Sequence, residues 1–375
     1  MKEISLYIHV PFCKQKCKYC DFPSFVGKEY LRDQYVEALK KEIVNRASGY
    51  KIKTIFIGGG TPSYLTGDEL NSILKTINKL DLKENLEFTV ECNPGTLNIE
   101  KLEIMKKNNV NRLSIGLQSC DNNLLKELGR IHSFEVFKEN FLLARKVGFN
   151  NINVDLMFGL PNQTIKKWKD TLERICDLNI EHISAYSLII EEGTVFYKLY
   201  DKDLLNLPSE DEEREMYRLA VEILNKKGYK QYEISNFSKD NKECKHNLTY
   251  WNLEEYIGCG SSASSYLNSK RLKNIENIEK YIENINLKGT AYEEIIINKE
   301  SDNIEEFMFM GLRKTKGISK KEFFNKFNKS MYDLYENIIK KHCEEGLLID
   351  SQDRLYLTSK GIELSNYVMS DFILN

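Results

Sequence analysis

The sequence has no run of about 18 apolar residues, so no membrane-spanning helix is expected. No signal peptide is expected: MKEISLYIHV is a short strand-like run without a long apolar core or a small-residue cleavage site. An excess of charge of one sign is missing as well. The 54 basic and 56 acidic residues leave a net charge of −2, which argues against a generally basic nucleic-acid binder. No solenoid-type repeat is visible. The expected location is the cytoplasm, where thiols stay reduced and nine cysteines would not form a disulfide framework.

What is present supports a packed core. Hydrophobic residues make up 41% of the 375 and charged residues 29%, enough for one large domain with an appendage or for two domains. Six strand-length runs follow one another: ISLYIHV (4–10), TIFIGGG (54–60), LEFTVEC (86–92), RLSIGLQ (112–118), INVDLMFG (152–159) and HISAYSLI (182–189). Helical patterns separate them, among others at 30–45, 67–80 and 164–178, the last with Thr164 as N-cap. This alternation means a parallel sheet, doubly wound or curled toward a barrel by right-handed crossovers. The cysteine loop, GGGTP (58–62), Glu91, Gln118 and FGLP (158–161) fall at the C-terminal ends of the runs, where barrel active sites sit.

The expected fold is therefore α/β: a partial (β/α)6 barrel over 1–208, an extension over 209–300 and a small C-terminal domain over 301–375. PSEDEERE (208–215) opens a helix capped by Ser209. Residues 229–270 read as strand and loop, and 271–300 carry little pattern. From 301 the chain reads as helices, then a hairpin and a final helix within 346–361, a mostly helical, winged-helix-like order. Eleven acids and eleven bases from 304 onward favour packing on the barrel over DNA binding.

HVPFCKQKCKYCDF (9–22) places Cys13, Cys17 and Cys20 at spacing C-x3-C-x2-C among three lysines. Three readings stand on spacing alone. Zinc wants four ligands, and His9 could supply the fourth, although it lies inside the first strand run. Structural cysteines would not usually crowd into such a loop. An iron–sulfur cluster takes thiolates at these short spacings, and three of them leave one iron of a four-iron cluster open. The other six cysteines (Cys92, Cys120, Cys176, Cys244, Cys259, Cys343) read as packing residues.

With Tyr19 before the third cysteine, the loop resembles that of the radical S-adenosylmethionine (SAM) superfamily. The resemblance implies a [4Fe–4S] cluster on Cys13, Cys17 and Cys20, with SAM on the open iron. LYIHVPFC, FIGGGTPSYL, FTVECNPGTL, RLSIGLQS, LGRIHS and VDLMFGLPNQT narrow it. They resemble the oxygen-independent coproporphyrinogen III dehydrogenases and their relatives from residue 4 to about 266, with EEFMFMGLR (305–313) matching again. The resemblance places Tyr7 by the cluster and Gly59, Gly60, Thr61 and Glu91 on the cluster-bound SAM. It places Gln118, Arg130 and Asp155 at positions that contact a second SAM in the dehydrogenase.

Two departures point away from the dehydrogenase. Phe22 stands where it has a fourth cysteine, and only six residues precede Tyr7 where it has a long extension. HNLTYW (246–251) matches the HNxxYW motif of the haem-chaperone branch. The resemblance then implies carriage of haem to acceptor haemoproteins, respiratory-chain proteins included, with an electron donor and with His246 as the preferred haem ligand. A histidine satisfied within the fold, with Tyr250 and Trp251 as packing, is the plain alternative. The other functional reading is oxidative decarboxylation of coproporphyrinogen III. A further departure is Ser264, in CGSSASSY, where the family usually has histidine. His132 belongs to the RIHS segment, and His182 and His342 carry no motif.

Overall fold

A computed structural model describes residues 1–374. Its first half is six parallel strands, each beside its predecessor: β1 (Glu3–Val10), β2 (Lys51–Gly59), β3 (Leu82–Cys92), β4 (Arg112–Gln118), β5 (Ile152–Phe158) and β6 (His182–Ser187). The crossovers carry α1 (Arg32–Ala47), α2 (Gly67–Ile77), α3 (Ile99–Lys107), α4 (Asn122–Glu127), α5 (Phe134–Val147) and α6 (Ile165–Cys176). After β6 come α7 (Val195–Tyr200) and α8 (Glu210–Lys226). Local chemistry sets the helix starts. Thr66 and Glu69 form a capping box on α2, Thr164 accepts from the Lys167 N–H at the start of α6, and Ser209 and Glu212 form a second box on α8.

Period-two alternation divides these strands into two faces. Ile4, Leu6, Ile8, Ile55, Ile57, Phe88, Val90, Leu113, Ile115, Val154 and Leu156 pack with the helices in the main apolar core. The alternate residues turn inward, and many are polar and buried: Ser5, His9, Thr54, Glu87, Thr89, Arg112, Ser114, Asn153 and His182. Asp155, which interrupts an apolar run in sequence, sits on this inner face.

Residues 209–300 do not form a separate layer. β7 (Lys230–Glu233) and β8 (Asn236–Ser238) add antiparallel strands beyond β6. After α9 (Lys245–Trp251), β9 (Tyr256–Cys259) pairs parallel with β1, and β10 (Ser264–Leu267) and β11 (Lys270–Asn274) follow. The stretch 271–300, nearly patternless in sequence, also yields α10 (Ile278–Lys288) and β12 (Tyr292–Ile297), giving one twelve-stranded open sheet.

HNLTYW, expected within strand and loop, is helical. It makes up nearly all of α9, which lies against the inner faces of β1–β3. Glu87 accepts from the backbone N–H of Lys245 at 3.0 Å and of His246 at 2.9 Å, satisfying the start of the helix. Thr249 Oγ1 meets Ser5 Oγ at 2.9 Å, and Thr54 Oγ1 donates to Ser5 Oγ at 2.8 Å. Glu87→Ala leaves one buried and one part-buried N–H group, and Arg112, short of a carboxylate. It is expected to cost about 3 kcal/mol, read as a lower urea midpoint with unchanged slope.

The C-terminal domain runs α11 (Glu300–Leu312), β13 (Ile318–Ser319), α12 (Lys320–Phe327), α13 (Tyr332–Glu344), β14 (Leu348–Asp350), β15 (Arg354–Leu357), α14 (Ser359–Glu363) and α15 (Ser365–Ser370). Its sheet has the order β13-β15-β14, a winged-helix-like arrangement. Its apolar core includes Leu253, Tyr256 and Tyr266, so it packs on the extended edge of the barrel sheet. Arg218 of α8 adds a bidentate pair to Glu363 at 2.8 and 2.7 Å. Among the described residues no helix is long and apolar enough to cross a membrane.

Candidate functional site

The C-terminal ends of the parallel strands surround a cavity of about 490 Å³. Ten residues singled out in sequence line it together: Cys13, Cys17, Cys20, Gly59, Gly60, Thr61, Glu91, Gln118, Arg130 and Asp155. Two do not. Tyr7 and His246 line an adjoining chamber of about 250 Å³, with Phe56, Asn247 and Tyr250. Phe22, Gly59 and Glu91 form the wall common to both. Tyr7, three residues before the end of β1, lines the adjoining chamber and not the cavity that holds the cysteines.

The cysteine loop is pinned by backbone. Cys13 N donates to Phe25 O at 3.0 Å and Lys18 N to Leu128 O at 3.0 Å. The glycine turn is pinned to the same loop, through Gly60 N to Val10 O at 2.8 Å and Thr61 N to Phe12 O at 2.9 Å. Gly59 has φ +104, and a Cβ there would lie 2.5 Å from the His9 ring, so both conformation and space demand glycine. At Gly60 a Cβ would meet the Val10 and Phe12 carbonyls at 2.9 Å.

Cys13 Sγ lies 3.4 Å from Thr61 Oγ1, and Arg130 Nη1 donates to Cys17 Sγ at 3.4 Å. Burial raises the Cys13 thiol and pushes that of Cys20 up to about 11. Among the described residues no three His, Cys, Asp or Glu side chains converge on one metal ion. His9 is turned away from the thiols, its Nδ1 3.0 Å from Tyr7 Oη and its Nε2 2.8 Å from Pro23 O. A single zinc ion therefore has no ligand set here. Three thiols lining one cavity without meeting at a point fit a larger inorganic cluster, and the remaining space fits a ligand on it.

The carboxylates opposite are not alike. Glu91 accepts from Gly59 N at 3.2 Å, and burial together with the charge of Asp155 pushes its pKa up to about 8. Asp155 has its partners inside the protein: Asn153 Nδ2 donates at 2.7 Å and Ser114 Oγ at 3.3 Å. These bonds fill about two of the four acceptor sites of a carboxylate. Arg130 Nη2 donates to Asn93 Oδ1 at 2.7 Å and to Gly116 O at 2.5 Å. Gln118, at φ +76, accepts from Tyr186 Oη at 3.0 Å. Asn93 and Tyr186 were not singled out in sequence. Tyr186 was legible through the inward alternation His182, Ser184, Tyr186, and Asn93 through its place directly after the end of β3.

His246 is 1% exposed. Its Nδ1 is 2.8 Å from Thr54 Oγ1, its Nε2 is 2.9 Å from Tyr250 Oη, and its ring stacks on Phe56 at 5.3 Å. Burial, with Arg112 and Lys53 adding, lowers its pKa to about 3, so the ring is neutral. His182 is likewise satisfied, between Asn153 Oδ1 at 2.6 Å and Tyr232 Oη at 2.9 Å. Of the six scattered cysteines, Cys92, Cys120, Cys244 and Cys259 are buried and Cys176 and Cys343 half-buried; all are free thiols.

Residues 7–175 match the radical SAM superfamily and 299–364 the HemN C-terminal domain. The radical SAM family implies a [4Fe–4S] cluster and SAM. The chain is 42% identical to the heme chaperone HemW of Bacillus subtilis, over 98% of this chain and 99% of that protein. It is 40% identical to the heme chaperone HemW of Lactococcus lactis, over 100% and 98%. The fold superposes on coproporphyrinogen III oxidase (HemN) of Escherichia coli with a TM-score of 0.87, at 22% identity over 99% of this chain and 90% of that one. The chain therefore belongs to the radical SAM superfamily and, within it, to the family of the HemW proteins.

Proposed function

We propose that this chain is a haem chaperone that binds a [4Fe–4S] cluster, SAM and haem and passes haem to acceptor haemoproteins. Full-length similarity to the HemW proteins carries the reading. Two local features support it: Phe22 at the cavity rim in place of a fourth cysteine, and HNLTYW folded as α9 beside the cavity. Cys13, Cys17 and Cys20 would hold the cluster, whose chemistry when reduced is one-electron transfer to SAM. Gly59, Gly60, Thr61 and Glu91 would receive SAM, the glycines by admitting it close to the backbone and Glu91 by facing its cationic part. Tyr7 would act from the adjoining chamber. Gln118, Arg130 and Asp155 have protein partners, but the Gln118 amide N–H groups, Arg130 Nε and further lone pairs of Asp155 would remain for a second SAM. The proposed setting is the cytoplasm, with an electron donor for the cluster and respiratory-chain haemoproteins among the acceptors.

His246 reaches haem iron only if Tyr250 releases its Nε2. Reconstituted protein titrated with haem is expected to form a one-to-one complex whose Soret band shifts in His246→Ala. An unchanged band removes His246 as ligand. The same protein, given reductant, SAM and coproporphyrinogen III, is expected to form no protoporphyrinogen IX. Turnover there, without haem binding, would replace this reading with the decarboxylase.

A further inference from the structure

A third cavity, of about 290 Å³, lies where the barrel extension meets the C-terminal domain. Tyr250 and Trp251 of α9, Tyr256 of β9, Tyr266 of β10, Arg271 of β11 and Met310 of α11 line it. Its surface is mostly apolar, with four aromatic side chains, and boundaries between domains are where ligand sites concentrate. The Glu254 carboxylate also borders it but is already paired with Asn252 and Lys53, and two nitrogen donors remain in its walls. Trp251 Nε1 is buried with no hydrogen-bond partner. Arg271 gives Nε and Nη2 to Glu306 at 3.1 and 2.7 Å and Nη1 to Tyr256 Oη at 3.2 Å. A guanidinium has five N–H groups, so two stay available.

These features select a guest. Flat aromatic walls suit a flat apolar body. A cation is disfavoured, because guanidinium groups already cover the rings: Arg271 sits 4.4 Å from the Tyr266 centroid and Arg313 4.4 Å from that of Trp251. A neutral apolar guest would leave the indole N–H unpaired, which a carboxylate would not.

The cavity is also connected to the rest of the site. Tyr250 belongs to its lining and to that of the 250 Å³ chamber, where its hydroxyl holds His246 Nε2. That chamber in turn shares Phe22, Gly59 and Glu91 with the cluster cavity. Three cavities thus stand in a row, with Tyr250 as the partition between the last two.

We propose that the aromatic cavity receives one edge of a flat, apolar, carboxylate-bearing porphyrin, and that displacement of Tyr250 by this guest frees His246 for its iron. The inference rests on the haem reading for the identity of the guest. Neither cavity alone exceeds about 300 Å³, the lower end for small-molecule sites, whereas joined they reach well into that range.

The test uses full-length, cluster-loaded protein titrated with haem and with metal-free protoporphyrin IX, followed by porphyrin absorbance. Met310→Trp fills the cavity and is expected to weaken both ligands at least tenfold, with SAM binding and thermal unfolding unchanged. Trp251→Phe keeps the ring, removes the N–H, and is expected to weaken both about tenfold. Tyr250→Phe keeps the partition but releases His246, so haem, and not the metal-free ring, is expected to bind more tightly. Wild-type affinity for both ligands in Met310→Trp and in Trp251→Phe overturns the site. If the wild type binds neither ligand, the haem reading falls and this site with it. If the wild type binds and these variants bind equally well, the haem reading stands and only this site is lost.

Discussion

Alanine at Cys13, Cys17 or Cys20 is expected to abolish the iron–sulfur cluster. Anaerobic reconstitution of the wild type should give the broad sulfide-to-iron absorption and about four irons per chain, and each single variant should retain little of either. The expectation follows from the site's economy. The three loop thiols line the cavity and no imidazole joins them, since both nitrogens of His9 are engaged by Tyr7 and Pro23. Cys120 packs in the apolar core away from the cavity and supplies the control, whereas Cys92, in the same core, also borders the cavity. Cys120→Ser should keep its iron while losing some stability. Full iron content in all three loop variants would remove the cluster assignment.

The second large effect is a dependence of SAM affinity on pH. Glu91 stays protonated up to about pH 8 in the ligand-free protein, chiefly because it is buried and secondly because Asp155 is near. The sulfonium of SAM is a permanent cation and favours the ionised carboxylate, so binding is linked to loss of a proton. Affinity is expected to rise by up to about tenfold per pH unit below 8 and to level off above it. At pH 6.5 it would lie about 30-fold below the plateau. Calorimetric titration of cluster-loaded protein at several pH values reads this directly, and Glu91→Gln should flatten the profile. A Glu91→Gln profile as steep as the wild type would assign the dependence to another group.

The same shift has a consequence for stability. A carboxyl whose folded pKa is raised from 4.5 to about 8 contributes stability fully present below the lower value and lost as pH rises through the higher. His9 acts oppositely: burial lowers its pKa to about 4, so its contribution fades as pH falls below the ordinary 6.5. The ligand-free protein should lose midpoint stability from the first group toward pH 8 and from the second toward pH 4. Bound SAM should offset the first loss, since it favours the ionised Glu91.

Much of the fold is legible in the chain because the signals are local. Apolar runs of strand length, Thr164 and Ser209 as caps, and motifs at strand ends together specify a partial barrel and the end of it that carries the site. Less legible was anything set by partners distant in sequence. HNLTYW has no apolar stripe long enough to announce a helix. It folds as α9 because Glu87, Ser5 and Thr54, on three strands, meet its N-terminus and inner face. Asp155 interrupts an apolar run in sequence, and only the fold shows Asn153 and Ser114 as its partners on the inner face. Nothing local shows that Arg130 donates to Cys17, 113 residues before it.

By itself, then, the sequence determined the kind of chemistry. Three closely spaced thiols, a glycine turn and carboxylates at strand ends are short-range patterns, and a strand's two-residue period delivers them to one cavity whatever the distant details. The tertiary structure alone decided the compartments. Tyr7 falls behind Glu91, Tyr250 stands between two cavities, and His246 is closed off from both sides. Those placements depend on α9 docking inside the barrel and on α11 closing over it, contacts between segments up to 240 or more residues apart, such as Ser5 with Thr249. No local pattern encodes such pairings, because their energy comes from burial and hydrogen bonds that exist only once the sheet has formed.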